Sequence, residues 1–192
     1  MNDVGGSSSN LRSPTAGTLI LAALSTALVL GGAFLAVGRL HSSTADSVEH
    51  PGPPATDAQT QTEVVAQARD IVAIAGLRQA TAGYLLMSCK NRDDPPYQGA
   101  VYLNFPLPAE VSAEEYFRRI AAVMVAHGWR EGLPPNQHLL GKNLSKHGVN
   151  AIVYPDSDAA NNGVARIYGQ CHNMNNHRGD STTWIDVTDR LR

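Results

Sequence analysis

An uncharged run at residues 18–38, TLILAALSTALVLGGAFLAVG, constrains this chain more than any other feature. As a helix, about 21 residues span roughly 31 Å, the thickness of one bilayer core. Leu19, Ile20, Leu21, Leu24, Leu28, Val29, Leu30, Phe34, Leu35 and Val37 make it apolar on every side. A helix lying on a soluble core would keep a polar stripe. The run therefore predicts a transmembrane helix over 18–38. A cleaved signal peptide is the rival reading, with Ser43-Thr44-Ala45 as a small-residue cleavage site. Signal peptides usually carry a shorter apolar region, about 7–15 residues. A lipoprotein signal needs a cysteine directly after the apolar region, and here Leu35-Ala36-Val37-Gly38 leads into Arg39. Arg12 before the run and Arg39 after it nearly tie the positive-inside count. Tail length and the downstream cysteines then set the expected orientation: a disordered cytoplasmic tail at 1–17 and everything after the span outside. Ala23, Ala27 and Gly31 sit four apart, a small-residue ridge able to pair two helices into a homodimer. An alanine-rich span also produces that spacing by chance.

Residues 39–60 contain three prolines and almost no large apolar side chain, which predicts a flexible linker. Residues 61–192 remain, enough for one core and too few for two domains. The 15 basic and 17 acidic side chains leave a net charge of −2, with no basic stripe, so nucleic-acid binding is excluded. The only two cysteines, Cys89 and Cys171, both fall in this last segment. Each continues the more apolar phase of a predicted strand, Leu85 and Met87 for one, Ala165 and Ile167 for the other. An extracytoplasmic location favours a disulfide between them over reduced thiols. A third reading uses Cys171-His172 with His177 as metal ligands, but the spacing matches no zinc signature and no metal is expected.

Periodicity places a helix over 62–79 on Val64, Val65, Ala68, Ile71, Val72 and Ala75. A second helix over 111–127 carries Ser112 and Glu115 at capping-box spacing and Gly128 at its end. Alternation predicts strands over 83–89, 99–105, 139–144, 149–154 and 164–171, with an edge strand over 184–188. The order, helix, two strands, helix, three or four strands, predicts an α+β fold: a two-layer sandwich of an antiparallel sheet of four to six strands with two helices on one face.

The stretches YLLMSCKN (84–91), PPYQGAVYLNFPLP (95–108) and ARIYGQCHN (165–173) resemble a group of uncharacterised actinobacterial envelope proteins of mycobacterial type. The resemblance covers roughly residues 60–190. It implies an N-terminal single-pass anchor and a small cysteine-paired extracytoplasmic domain, and it carries no activity over.

No nucleophile elbow, phosphate loop or zinc-protease motif occurs. Ser88, His127 and Asp93 make a triad only on paper, and Asp93-Asp94 before Pro95-Pro96 read as a solvated turn. Catalytic residues and cofactors are therefore expected to be absent. A better candidate comes from strand phase. If Leu85, Val101, Val153 and Ile167 face the helices, the opposite face carries Tyr84, Tyr102, Asn104, Tyr154, Arg166 and Tyr168, with Ser88, Asn150 and Gln170 beside them. Tyrosines offer flat apolar area with a polar tip, suited to a cell-wall glycan or an envelope protein partner. Cross-strand tyrosine pairing on a half-wet sheet is the plainer account of the same pattern. The expected function is a membrane-anchored binding or scaffolding protein of the cell envelope. A cell-wall-modifying enzyme and an accessory subunit of a membrane complex are the alternatives.

Overall fold

The computed structural model describes residues 53–192 apart from 92, 93, 136 and 160. The predicted span at 18–38, its small-residue ridge, the tail at 1–17 and Asp93 lie outside the described residues. Among those described, no helix is long and apolar enough to cross a membrane.

The chain runs α1 (Asp57–Ala75), β1 (Thr81–Ser88), β2 (Tyr97–Pro106), α2 (Ala113–Ala126), β3 (Arg130–Glu131), β4 (Lys142–Lys146), β5 (Val149–Pro155), β6 (Asn162–Tyr168) and β7 (Ile185–Asp186), then a 3-10 turn at Thr188–Leu191. The α+β class follows, but the sheet has seven strands rather than four to six. The additional strand is β3, only two residues long, too short for an alternation pattern to reveal it. All pairings are antiparallel, in the order β3-β4-β5-β6-β2-β1-β7.

Helix α1 begins inside the segment read as linker. Thr56 accepts a hydrogen bond from the Gln59 N–H and Gln59 accepts one from the Thr56 N–H, a complete capping box. At the other end Gly76 takes a left-handed conformation, φ 63°. Gly76 and Leu77 donate to the carbonyls of Ala73 and Val72, so the helix stops at Ala75 instead of running to Gln79. In α2 Ser112 caps the Glu115 N–H at 3.3 Å. The Glu115 carboxylate turns outward to Arg118 and Arg119 rather than closing a box.

One core joins Val64, Ala68 and Ile71 of α1 and Phe117, Ile120 and Met124 of α2 to Val101, Leu103, Phe105, Val153, Ala165 and Ile167 of the sheet. Register puts Leu103, Ala165 and Val153 in one row across β2, β6 and β5. The helices therefore cover one face, and the next residue along each strand points to the other.

Strand β1 corrects the expected phase. Tyr84 pairs with Val101 and Leu85 with Ala100, so Tyr84 lies on the helix side, only 5% exposed, and Leu85 on the open side. The run Leu85-Leu86-Met87 is apolar in both phases, and alternation alone gives no preference; pairing with β2 decides. Burial pushes the Tyr84 phenol up to about 12.

Cys89 and Cys171 are bonded to each other, 82 residues apart in sequence. The strands they follow, β1 and β6, are not neighbours in the sheet. β1 and β6 flank β2, so the bond bridges the chain segments leaving them, across the start of β2. Closing such a loop contributes about 4–5 kcal/mol in the chain-entropy account, before strain.

Candidate functional site

The open face is organised around Arg166. It pairs directly with Tyr102 across β2–β6 and with Ile152 across β5–β6. Its guanidinium carbon lies 5.4 Å from the Tyr102 ring centre and 5.8 Å from that of Tyr154. Two rings thus hold one cation, an arrangement worth about 0.5–2 kcal/mol per contact depending on hydration. No carboxylate among the described residues forms an ion pair with Arg166, and its Nε is buried without a hydrogen-bond partner.

Each clamping ring has a further neighbour. The Trp184 ring lies 5.8 Å from Tyr102, and the His138 ring stacks on Tyr154 at 3.6 Å and 15°. The result is a row, Trp184–Tyr102–Arg166–Tyr154–His138, running across the sheet. Burial lowers the pKa of His138 and the charge of Arg166 lowers it further, so both favour the neutral imidazole beside the cation. Burial raises the Tyr154 phenol above its ordinary value, with Arg166 pulling the other way.

Of the residues expected on this face, Tyr102, Arg166, Tyr154 and Tyr168 are brought together. Tyr168 pairs with Ala100 and Asn150 one step along the sheet, and its phenol lies near enough to Arg166 to act on it electrostatically. Asn104 shares the face, two residues along β2 from Tyr102, opposite Val164. Tyr84 does not belong to it; it lies on the other side of the sheet, buried in the core. Gln170, past the end of β6, turns back to α1, where its side-chain nitrogen meets Glu63 at 2.9 Å. Ser88 donates to the Asp94 carbonyl and accepts from the Lys90 and Asn91 N–H groups, which closes the loop after β1. His127 sits at the end of α2 against the Val123 carbonyl. Asp94 pairs with Arg178 and accepts from Asn91, bonds that hold its carboxyl below the usual range.

Sequence reading missed Trp184, His138 and Met87. Trp184 arrives on the segment between Cys171 and β7, which is tied down by its own polar cluster. Asp57, at the start of α1, accepts from Asn173 at 2.8 Å, Asn175 at 2.7 Å and the His177 ring at 3.1 Å. The other ring nitrogen of His177 meets Asp180 at 2.8 Å, and the ring stands edge-on to Tyr97. The amide bonds, and less strongly His177, lower the Asp57 pKa. Gly83 supplies the remaining requirement: a Cβ there would lie 2.9 Å from Cβ of Trp184, so the missing side chain admits the indole. With Cys171 spent in the disulfide and His172 3.7 Å from Glu63, the histidines beside it serve local pairing.

The sequence model of the family described as "Putative lipoprotein LppJ" matches residues 56–190, from the cap of α1 to the final 3-10 turn. The chain belongs to that family. A "Putative lipoprotein LppJ" of Mycobacterium bovis is 36% identical over 172 residues, 89% of this chain and 90% of the relative. Its namesake in Mycobacterium tuberculosis (strain CDC 1551 / Oshkosh) is 35% identical over 164 residues, 85% and 86%. No solved structure matches. The mycobacterial envelope resemblance of 84–91, 95–108 and 165–173 stands with these relatives. The relatives are named lipoproteins, whereas both cysteines of this chain are bonded to each other inside the folded domain.

Proposed function

We propose that this chain is an envelope-associated binding protein, held in the membrane by residues 18–38 with its domain outside, and that the open sheet face receives the partner. The observation that carries this is Arg166, a cation gripped by two tyrosine rings on a sheet face that, among the described residues, no helix covers and no carboxylate pairs with. Membrane association draws on the lipoprotein name of the relatives and on the apolar run. In this reading the anchor is the helix rather than a lipid, because lipoprotein acylation takes a cysteine directly after the apolar region, where this chain has Arg39, and Cys89 and Cys171 are bonded to each other. No reaction is assigned: the histidine–carboxylate pairs fasten the segment that carries Trp184.

The test retains the full chain on isolated cell envelopes and compares Tyr102→Ala/Arg166→Gln with the unaltered protein by chemical cross-linking. Loss of the cross-linked species is expected. A folded double variant that keeps every cross-link overturns the reading. For the anchor, metabolic palmitate labelling should leave the protein unlabelled, and deleting 18–38 should release it; a labelled band would refute the helix anchor.

A further inference from the structure

Two cavities lie on either side of Trp184. One, about 400 Å³, opens on the sheet face between Met87, Tyr102, Arg166, Tyr168 and Trp184. The other, about 370 Å³, follows β1 beyond its short pairing with β7, between Leu85–Ser88 and residues 177–182. Met87 and Trp184 line both, so the two are neighbours sharing one wall. Each volume falls in the range of small-molecule sites, roughly 300–1,000 Å³.

Their chemistries differ in a complementary way. The first combines a planar donor fork with flat aromatic area. Arg166 is pre-oriented by Tyr102 and Tyr154, which suits bidentate recognition of a carboxylate. Trp184, 43% exposed, shows ring surface to the solvent beside it. The second has an apolar floor from Leu85 and Met87 and polar groups from Asp180, Ser181 and Thr182. Flat apolar surface next to carboxylate and hydroxyl partners matches a sugar ring, whose C–H faces stack and whose hydroxyls hydrogen-bond.

Resting on the reading of the open face as a binding surface, we infer that the two cavities are adjoining subsites for an acidic saccharide. One ring stacks at Trp184 and Tyr102 with its carboxylate on Arg166. The next ring occupies the cavity along β1. Binding is non-covalent, and discrimination comes from the charge.

The experiment titrates the full chain in detergent micelles with cellobiouronic acid and with cellobiose, which differ by one carboxylate. Calorimetry and Trp184 fluorescence are the readouts. The acid should bind at least about tenfold tighter, the increment of a charge-assisted bidentate contact. Arg166→Gln should erase that preference, Arg166→Lys should restore part of it, and Trp184→Phe should weaken both sugars. Equal binding of the two disaccharides, a preference that survives Arg166→Gln, or inorganic phosphate binding as well as the acid would each overturn the inference. If envelope cross-links still depend on Tyr102 and Arg166 in those cases, the binding face stands and only the saccharide falls. If they do not, both fall together.

Discussion

On one face of the sheet Leu103, Val153, Ala165 and Ile167 are wholly buried beneath two helices. One residue along the same strands, Tyr102, Tyr154 and Arg166 hold one another by ring and charge contacts, roofed only at the ends by Trp184 and His138. The first face gains its stability from apolar area removed from water, at roughly 25 cal/mol per Å². The second buries Tyr154 beneath His138 but leaves Tyr102, Arg166 and Trp184 partly accessible. Truncation should therefore cost the first face stability and the second its surface chemistry. Two tryptophans report on them separately: Trp129, 2% exposed in the helix-side core, and Trp184, 43% exposed on the open side.

The disulfide gives the largest expected effect, because it crosses the start of the strand that serves both faces. Replacing Cys89 and Cys171 together by Ser should cost about 2–5 kcal/mol and loosen both reporters in the same urea titration. A loss confined to Trp184 would show that the bond staples only the open side. Leu103→Ala comes next, at about 2–5 kcal/mol, with the Trp129 transition shifted to lower denaturant. Tyr168→Ala, on the open face, should stay below about 1 kcal/mol; a larger cost would erase the distinction between the faces. Gly83→Ala tests the approach of the indole. It should cost about 1–3 kcal/mol and make Trp184 more accessible to iodide while Trp129 is unchanged.

Acid supplies the smallest effect. The Asp57 pKa is lowered by its Asn173, Asn175 and His177 bonds, so the folded state favours the carboxylate. The stability this contributes is present above the ordinary Asp value of about 3.9 and is lost as pH falls through the lower folded value. His138 also has a lowered pKa, so its contribution is present above about 6.5 and declines on acidification. Trp184 should therefore become more quenchable in acid before the far-UV circular dichroism changes. Simultaneous change of both signals would mean that the segment carrying Trp184 is no weaker than the core.

Several features were legible because the signal is local. Ser112 and the stripe Phe117, Ile120, Ala121 and Met124 define α2 within one stretch of chain. Ile167 alternates with Arg166 and Tyr168, and Leu103 with Tyr102 and Asn104, so the phases of β6 and β2 follow from period 2; in β5 the apolar Ile152 beside Val153 blurs the contrast, and pairing with β6 settles it. β1 lacks that contrast, and the error there moved Tyr84 to the wrong face. Thr56–Gln59 is a capping box in plain sight, but the prolines just before it suggested linker. Trp184 and His138 come from irregular segments whose periodicity says nothing about where they land.

Residue types by themselves determined the α+β class, the paired cysteines and a tyrosine-and-arginine face, because capping, alternation and oxidation act over a few residues or on the only two thiols present. Only tertiary structure decided the phase of β1, the bridging of strands that are not neighbours, and the row that holds Arg166. Those depend on register and on the docking of a distant segment through Asp57, His177 and Gly83. Each is set by contacts between residues far apart in sequence, which no local pattern records.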